Sequence, residues 1–385
     1  MQARLVGLDV ARCLALVGMV AAHVLERPPL VAGRAAALFA VLAGVSLVLM
    51  SRRTSSLGLV ARAVLIAGWG LVLGELDSGL AVILTYYGVL FLLGMPFLRL
   101  GARALFGWAL AWTVAGPVLS QLLRPHLPVR GAASPEVGQL AHPGHLLSEL
   151  LFTGYYPCLT WLAYLLLGMA IGRCDLRSRS VHAGLVLGGL SVAFLAFALS
   201  RSFTEQPWVL RRLLPDAGGY GDVSTSDAFV HAIAAGMHGT TPAGGSWAWL
   251  LVVAPHSGTP FDLLQTGASA ALLIGVCLLA VSALSSGAER VVAILFGAGT
   301  MTLSLYSLHV LLRTPRFWPA EESSSFGWHV LVLLAIGAVF VAARRKGPLE
   351  AALAWVSAAA TRWQGRCPSP SGPPPPRSGR TRPRR

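Results

Sequence analysis

Charged side chains are scarce in this chain. Asp, Glu, Lys and Arg make up 12% of 385 residues, against 55% hydrophobic, and the mean hydropathy is +0.66. No water-soluble domain could hide that much apolar surface, so a soluble globular protein is excluded. Cysteine is also thin. Of the five, Cys13, Cys158 and Cys277 fall inside apolar runs, and Cys174 and Cys367 lie on stretches read as inner. None lies in the long outer connections, and no disulfide framework is implied. No Cys or His cluster has metal-site spacing: Pro143-Gly144 separates His142 from His145 and argues for a loop, so no metal is expected. Glycine-rich phosphate loops are missing as well. Gly44, Gly68, Gly70 and Gly74 sit inside apolar runs at spacings that read as helix contact surfaces. Lysine is nearly absent, Lys346 being the only one among 30 basic residues. Together with abundant Ala, Gly and Pro, that preference for arginine points to a GC-rich genome and a bacterial plasma membrane.

What the chain does have is apolar runs long enough to cross a bilayer, which takes about 20 residues of helix. They read at about 5–25, 33–50, 59–76, 79–98, 103–122, 150–172, 181–199, 264–285, 291–312 and 326–343. The expectation is an all-α, polytopic transmembrane helix bundle of about ten spans. Orientation follows from arginine, which cytoplasmic connections favour. With the N-terminus inside, Arg52, Arg53, Arg62, Arg99, Arg103, Arg173, Arg177, Arg179, Arg290, Arg344, Arg345 and Lys346 all fall inside. The outer connections collect most of the acids, with a minority of arginines. Both termini are therefore expected to be cytoplasmic. The first run imitates a signal peptide, but Asp9 and Arg12 interrupt it and no clean cleavage site follows, so it reads as a retained span.

The domain reading is a membrane domain over 1–350, with long outer loops at about 123–149 and 200–263. A short inner helical segment follows over 351–363, then a disordered, basic, Pro-rich tail over 364–385. Inner loops and tail account for much of the net charge of +14. It therefore signals topology and anionic lipid, and no nucleic-acid partner is expected.

Charges inside a span cost about 3 kcal/mol each on insertion scales, so they face the bundle and take partners. Asp9 and Arg12, three apart, share one helix face. They form an ion pair that either anchors the first span or orders it for chemistry. His23 lies eleven residues past Arg12, about 16 Å up the same face, near the outer mouth. An imidazole there can accept a proton from an attacking hydroxyl or amine or carry an acyl group; as a lone helix-end histidine it is an interfacial hydrogen-bonder. Arg34 opens the second span on the same side. It either grips an oxyanion or snorkels to the interface. The segment Ala254-Pro255-His256-Ser257-Gly258-Thr259-Pro260-Phe261-Asp262 enters a span from outside. Its polar groups suit a sugar rim, while Thr259 or Asp262 equally suits a helix cap. Tyr155, Tyr156 and Trp161 read as an aromatic interface belt, and His309, near Tyr306, as a packed polar residue.

Leu8-Asp9-Val10-Ala11-Arg12, the helix to His23, and Ala32-Gly33-Arg34 leading to Ser46 resemble the start of the heparan-α-glucosaminide N-acetyltransferase-like membrane proteins. The resemblance extends to the related DUF418 proteins through Tyr156-Pro157, Gly168-Met169, Gly172-Arg173, Pro255 to Pro260, Gly299 to Leu308 and Gly347-Pro348-Leu349-Glu350. It covers about 1–350. It implies transfer of an acyl, typically acetyl, group from cytoplasmic acyl-CoA to an amine or hydroxyl on an extracytoplasmic glycan, with an essential histidine. The family's lysosomal members carry that histidine in a longer loop after the first span; here His23 stands in its place by position. On this resemblance His23 is the catalytic candidate, with Arg34, His256, Ser257, Arg12 and Asp9 as substrate- or cofactor-binding candidates. Acetyl-CoA is the expected co-substrate, membrane lipid and an envelope glycan the expected partners, and a homo-oligomer is compatible. Two other classes stay open: a transporter or flippase whose charges line a pathway, and a non-catalytic membrane protein.

Overall fold

The structure is a computed structural model that describes residues 4–25, 31–130, 134–216, 233, 237, 239–317 and 323–366. Among the described residues it is all helix, without a strand. The helices are α1 (Val6–Val24), α2 (Arg34–Ser51), α3 (Ser56–Gly74), α4 (Leu84–Gly94), α5 (Ala102–Leu123), α6 (Pro143–Ser148), α7 (Cys158–Arg173), α8 (Arg179–Thr204) and α9 (Pro207–Leu213), then α10 (Pro260–Ser282), α11 (Ser286–Leu295), α12 (Thr302–Leu312), α13 (Phe326–Ala342) and α14 (Pro348–Arg366). Several starts follow from cap chemistry. The hydroxyls of Ser55, Thr259 and Ser285 accept the N–H groups of Gly58, Asp262 and Ala288, satisfying donors that a helix start leaves open.

Six helices are long and apolar enough to cross a membrane: α1, α2, α3, α5 with its extension to His126, α8 and α10. A seventh is reached if Pro143–Thr153 and Cys158–Arg173, bent by 56°, form one span. These are the features of a multi-pass membrane protein, but ten full-length spans are not seen among the described residues. The run expected over 79–98 is the short α4 continued by a 3-10 turn, Met95–Arg99. That over 326–343 is the 17-residue α13. The run over 291–312 breaks into α11, a 3-10 turn at Gly297–Thr300, and α12.

The break has a packing cause. A Cβ on Gly299 would strike the carbonyl of Asp9 in α1, and one on Gly297 would strike the carbonyl of Gly337 in α13. Two backbones thus approach this turn from opposite sides, where a regular helix with side chains would hold them off. Glycine serves the same end where α2 crosses α7. A Cβ on Gly44 would meet the carbonyl of Leu165, and one on Gly168 that of Val41. Away from these seams the surface is apolar, with Phe106, Leu110 and Val114 of α5 and Leu187, Leu190 and Phe194 of α8 exposed, as lipid-facing helices require.

The long connections are partly structured. Over 123–149 the chain forms 3-10 turns at Arg124–His126 and Val137–Ala141 before α6. Over 200–263, α9 and the 3-10 turn Trp247–Leu251 bury a small apolar cluster of their own around Trp249, Val209 and Leu213. Arg124 binds the two stretches together: it donates to the Thr241 carbonyl, to Thr241 Oγ1 at 2.7 Å and to Gln121 Oε1 at 3.0 Å. At the other end α14 packs on α3, where Thr361 Oγ1 and Gln364 Oε1 accept from Ser55 and Leu57. The expected tail lies, from 367 onward, outside the described residues, as does much of the loop over 217–238.

Candidate functional site

Two polar clusters occupy opposite ends of α1, with a cavity between them. At the first end, buried Asp9 accepts from Arg4 Nε at 2.5 Å and Arg12 Nη1 at 2.9 Å, while Arg12 Nη2 donates to Ser46 Oγ of α2 at 2.9 Å. The pair expected from the spacing is therefore present, and it also ties α1 to α2. Glu350, at the start of α14, accepts the backbone N–H groups of Leu303 and Ser304 at 2.8 and 3.2 Å and the Ser304 hydroxyl at 2.5 Å. It thereby places a carboxylate on the N-terminus of α12, where the helix dipole favours one.

The cavity, about 330 Å³, opens among α1, α2, α3, α4, α12 and α14. Arg12, Ser46, Arg62 and Glu350 line its polar end, and Met19, Phe39, Tyr87 and Tyr306 its apolar reach. Arg62 Nε is buried and has no hydrogen-bond partner among the described residues. Arg173 also has a buried Nε without a hydrogen-bond partner among the described residues, but it donates to the Leu98 carbonyl, Arg52 donates to that of Gly172 at 3.4 Å, and neither lines the cavity. They hold chain to chain, while Arg12 and Arg62 face the cavity.

Met19 lies four residues before His23 and Tyr306 three before His309, so the apolar reach ends one turn below both histidines. There His23 Nδ1 and His309 Nε2 meet at 3.1 Å, with the two rings nearly coplanar at 4°. His309 is fully buried, and His329 of α13 stands edge-on to it, ring centroids 5.4 Å apart. The histidine read as a packed polar residue is thus the hydrogen-bond partner of the one read as reactive. Among the described residues no group of three His, Cys, Asp or Glu side chains is placed to hold a metal ion.

Beside this cluster sits the chain that leads into α10. His256 has a left-handed φ of 59°. It is nested among Tyr155, Tyr156 and Trp161, with centroid separations of 5.1, 5.7 and 6.3 Å, and lies parallel to Trp161 within 11°. Tyr156 and Trp161 are buried within the protein, where they wall His256. Arg130 lies over the outer ring of this nest, 5.5 Å from the Tyr155 centroid. Gly33, at φ 72°, backs onto Pro255, which leaves His256 next to the start of α2. His23 and His256 are close enough for their charges to interact, as are Arg34 and Asp262. Buried Ser257 bonds Thr259 Oγ1 at 3.1 Å, and Asp262 accepts the Gly258 N–H at 3.0 Å. Ser257 therefore belongs to the helix cap, with its hydroxyl turned into the turn itself.

Of the residues singled out from sequence, His23, Arg34, His256 and Ser257 gather at one end of the bundle, and Asp9 and Arg12 at the other. Three were not anticipated: Arg62, which read only as a topology signal, Glu350 as a cap and cavity wall, and His329. The chemistry this permits is proton transfer at a histidine one turn beyond the apolar reach of a cavity whose other end carries guanidinium groups.

Residues 29–202 match the family model described as heparan-alpha-glucosaminide N-acetyltransferase, catalytic. No curated protein matches the chain. The matched stretch runs from just before α2 to the last turn of α8 and includes Arg34, Arg62 and the Tyr155–Trp161 wall. It supports for this protein a heparan-α-glucosaminide N-acetyltransferase-like family, a family of membrane acetyltransferases.

Proposed function

We propose that the protein transfers an acyl group, typically acetyl, from cytoplasmic acyl-CoA to an amine or hydroxyl of an extracytoplasmic glycan-like acceptor in a bacterial plasma membrane. The observation that carries this reading is the cavity that runs from Arg12 and Arg62 to within one turn of the His23–His309 pair. Its volume, near the lower end for ligand sites, and its mainly apolar walls suit an acyl-bearing arm and not a whole nucleotide. Arg12 and Arg62 are placed to offset anionic charge where that arm enters.

The chemistry balances at one histidine. Nε2 of His23 takes the proton of the acceptor O–H or N–H as the heteroatom bonds to the thioester carbonyl carbon. The C–S bond then breaks, and the thiolate recovers that proton from His23, giving the acylated acceptor and free CoA. Arg34 and His256, at the same end, orient the acceptor. In this reading both termini are cytoplasmic.

The test is purified protein in liposomes with radiolabelled acetyl-CoA and cell-envelope glycans. CoA release and labelled glycan should depend on the acceptor and vanish in His23→Ala, with folding unchanged by thermal melting. Full turnover by His23→Ala would overturn the assignment. A transporter or flippase is the second reading, favoured by the 56° break before α7 and the interrupted α11–α12, since broken helices line pathways in such proteins. Substrate movement across the liposome without CoA release would select it.

A further inference from the structure

Resting on that reading, we propose that His309 is the positioning residue of the transfer: it holds the proton of His23 on Nδ1 and so keeps Nε2 of His23 bare toward the acceptor.

Two imidazole nitrogens 3.1 Å apart share one proton, so in a neutral pair one ring donates and the other accepts. If His309 donates from Nε2, the remaining proton of His23 sits on its own Nε2 and that ring cannot act as a base. If His23 donates from Nδ1, its Nε2 carries a lone pair. The nearly coplanar rings suit a bridge in either direction, and base chemistry at His23 requires the one in which His23 donates, which places the second proton on His309 Nδ1, buried without a hydrogen-bond partner among the described residues. The surroundings of the pair are crowded with cationic or protonatable groups. His309 is inaccessible to solvent, Arg313 lies one turn further along α12, His329 of α13 stands against the His309 ring, and His256 approaches from the chain before α10. A resting imidazolium would face cationic or protonatable groups on every one of these elements. Fixing an imidazole's tautomer through its second nitrogen is how histidines are prepared for base chemistry elsewhere. Here the fixing group is a second histidine, brought from 286 residues away in sequence.

Ring-15N NMR of histidine-labelled protein reads this directly, with the His23 signals identified by their loss in His23→Ala. The wild type should show His23 protonated on Nδ1, and His309→Ala should move that proton to Nε2. Protonation of His23 on Nε2 in the wild type, or an unchanged tautomer in His309→Ala, would overturn the proposal. In the transfer assay His309→Ala should lower kcat about a hundredfold with the donor KM unchanged. His309→Gln, whose amide oxygen can reach the Nε2 position, should recover part of that loss. If His23→Ala is inactive while His309→Ala is fully active, this inference falls and the transfer reading stands. If both variants are fully active, the transfer reading falls, and the tautomer measurement still decides the pair.

Discussion

Gly44 and Gly168 face each other's helices at the crossing of α2 and α7, each so close that a methyl group would strike the opposite backbone: Leu165 carbonyl for Gly44, Val41 carbonyl for Gly168. This crossing lies inside the family-matched stretch and holds α2, one wall of the cavity, against α7, which carries Trp161. Gly168→Val should therefore cost about 1–3 kcal/mol or more, the range for overfilling a packed contact. It is best read by thermal melting in detergent. Gly68 of α3 is the internal control, because a Cβ there meets nothing within 4 Å. Gly68→Ala should be neutral or stabilising by about 0.5–1 kcal/mol, as expected for replacing a mid-helix glycine. Equal losses at both positions would mean that the crossing does not depend on the close approach.

The features legible in the sequence were those written within a few residues. Asp9 and Arg12 announce their pairing by an i,i+3 spacing, and Thr259-Pro260 announces a helix start because a capping hydroxyl and a proline at the first turn are local chemistry. The His23–His309 contact could not be read that way. It joins the last turn of α1 to the last turn of α12, and each histidine alone has an ordinary explanation. The interrupted run over 291–312 was hidden for a related reason. Its composition is apolar throughout, and only the backbone contacts of Gly297 and Gly299 with α13 and α1 show why it cannot remain one helix. Arg62 was counted with the inner arginines because charge position alone does not tell a cavity wall from a solvated loop.

Arg62 and Glu350 make opposite predictions although both line the polar end of the cavity. Arg62 has a buried Nε without a hydrogen-bond partner among the described residues. Arg62→Ala should leave melting nearly unchanged and raise the donor KM, with a smaller effect on kcat, as expected for lost ground-state binding. Glu350 is spent on the start of α12, with three hydrogen bonds to Leu303 and Ser304. Glu350→Ala should cost about 0.5–2 kcal/mol, as for a lost helix cap. The reverse pattern, with Arg62 stabilising and Glu350 affecting only KM, would remove the assignment of Arg62 to the donor.

The ion pairs of α1 are tested by comparing single and double variants. Asp9 is buried and holds two arginines, Arg12 being partly buried and Arg4 more exposed. Asp9→Asn leaves Arg12 beside Ser46 without its counter-charge, and because Arg12 is only partly buried the loss should be about 1–3 kcal/mol, below that for a fully buried pair. The double variant Asp9→Asn with Arg12→Gln should be less damaging than Asp9→Asn alone, because it removes the stranded charge as well. Additive losses in the cycle, measured by melting, would show that the two residues are not energetically coupled.

Gly33 joins the two sides of the proposed acceptor end. Its φ of 72° suits glycine, and a Cβ there would lie 3.1 Å from Pro255 Cβ, 3.2 Å from Pro255 Cα and 3.4 Å from the His256 nitrogen. Gly33→Ala therefore carries a left-handed penalty of about 1–2 kcal/mol. It also pushes on the chain whose next residue, His256, is itself left-handed and wedged against Trp161. Because His23 and Arg34 flank the same short connection, a shift of His256 would separate acceptor-orienting groups from the base without touching the cavity. The expected outcome is a lower melting temperature, a raised acceptor KM and an unchanged donor KM. If the donor KM rises instead, Gly33 acts through the fit of α2 against the cavity, and His256 has no separate part in holding the acceptor.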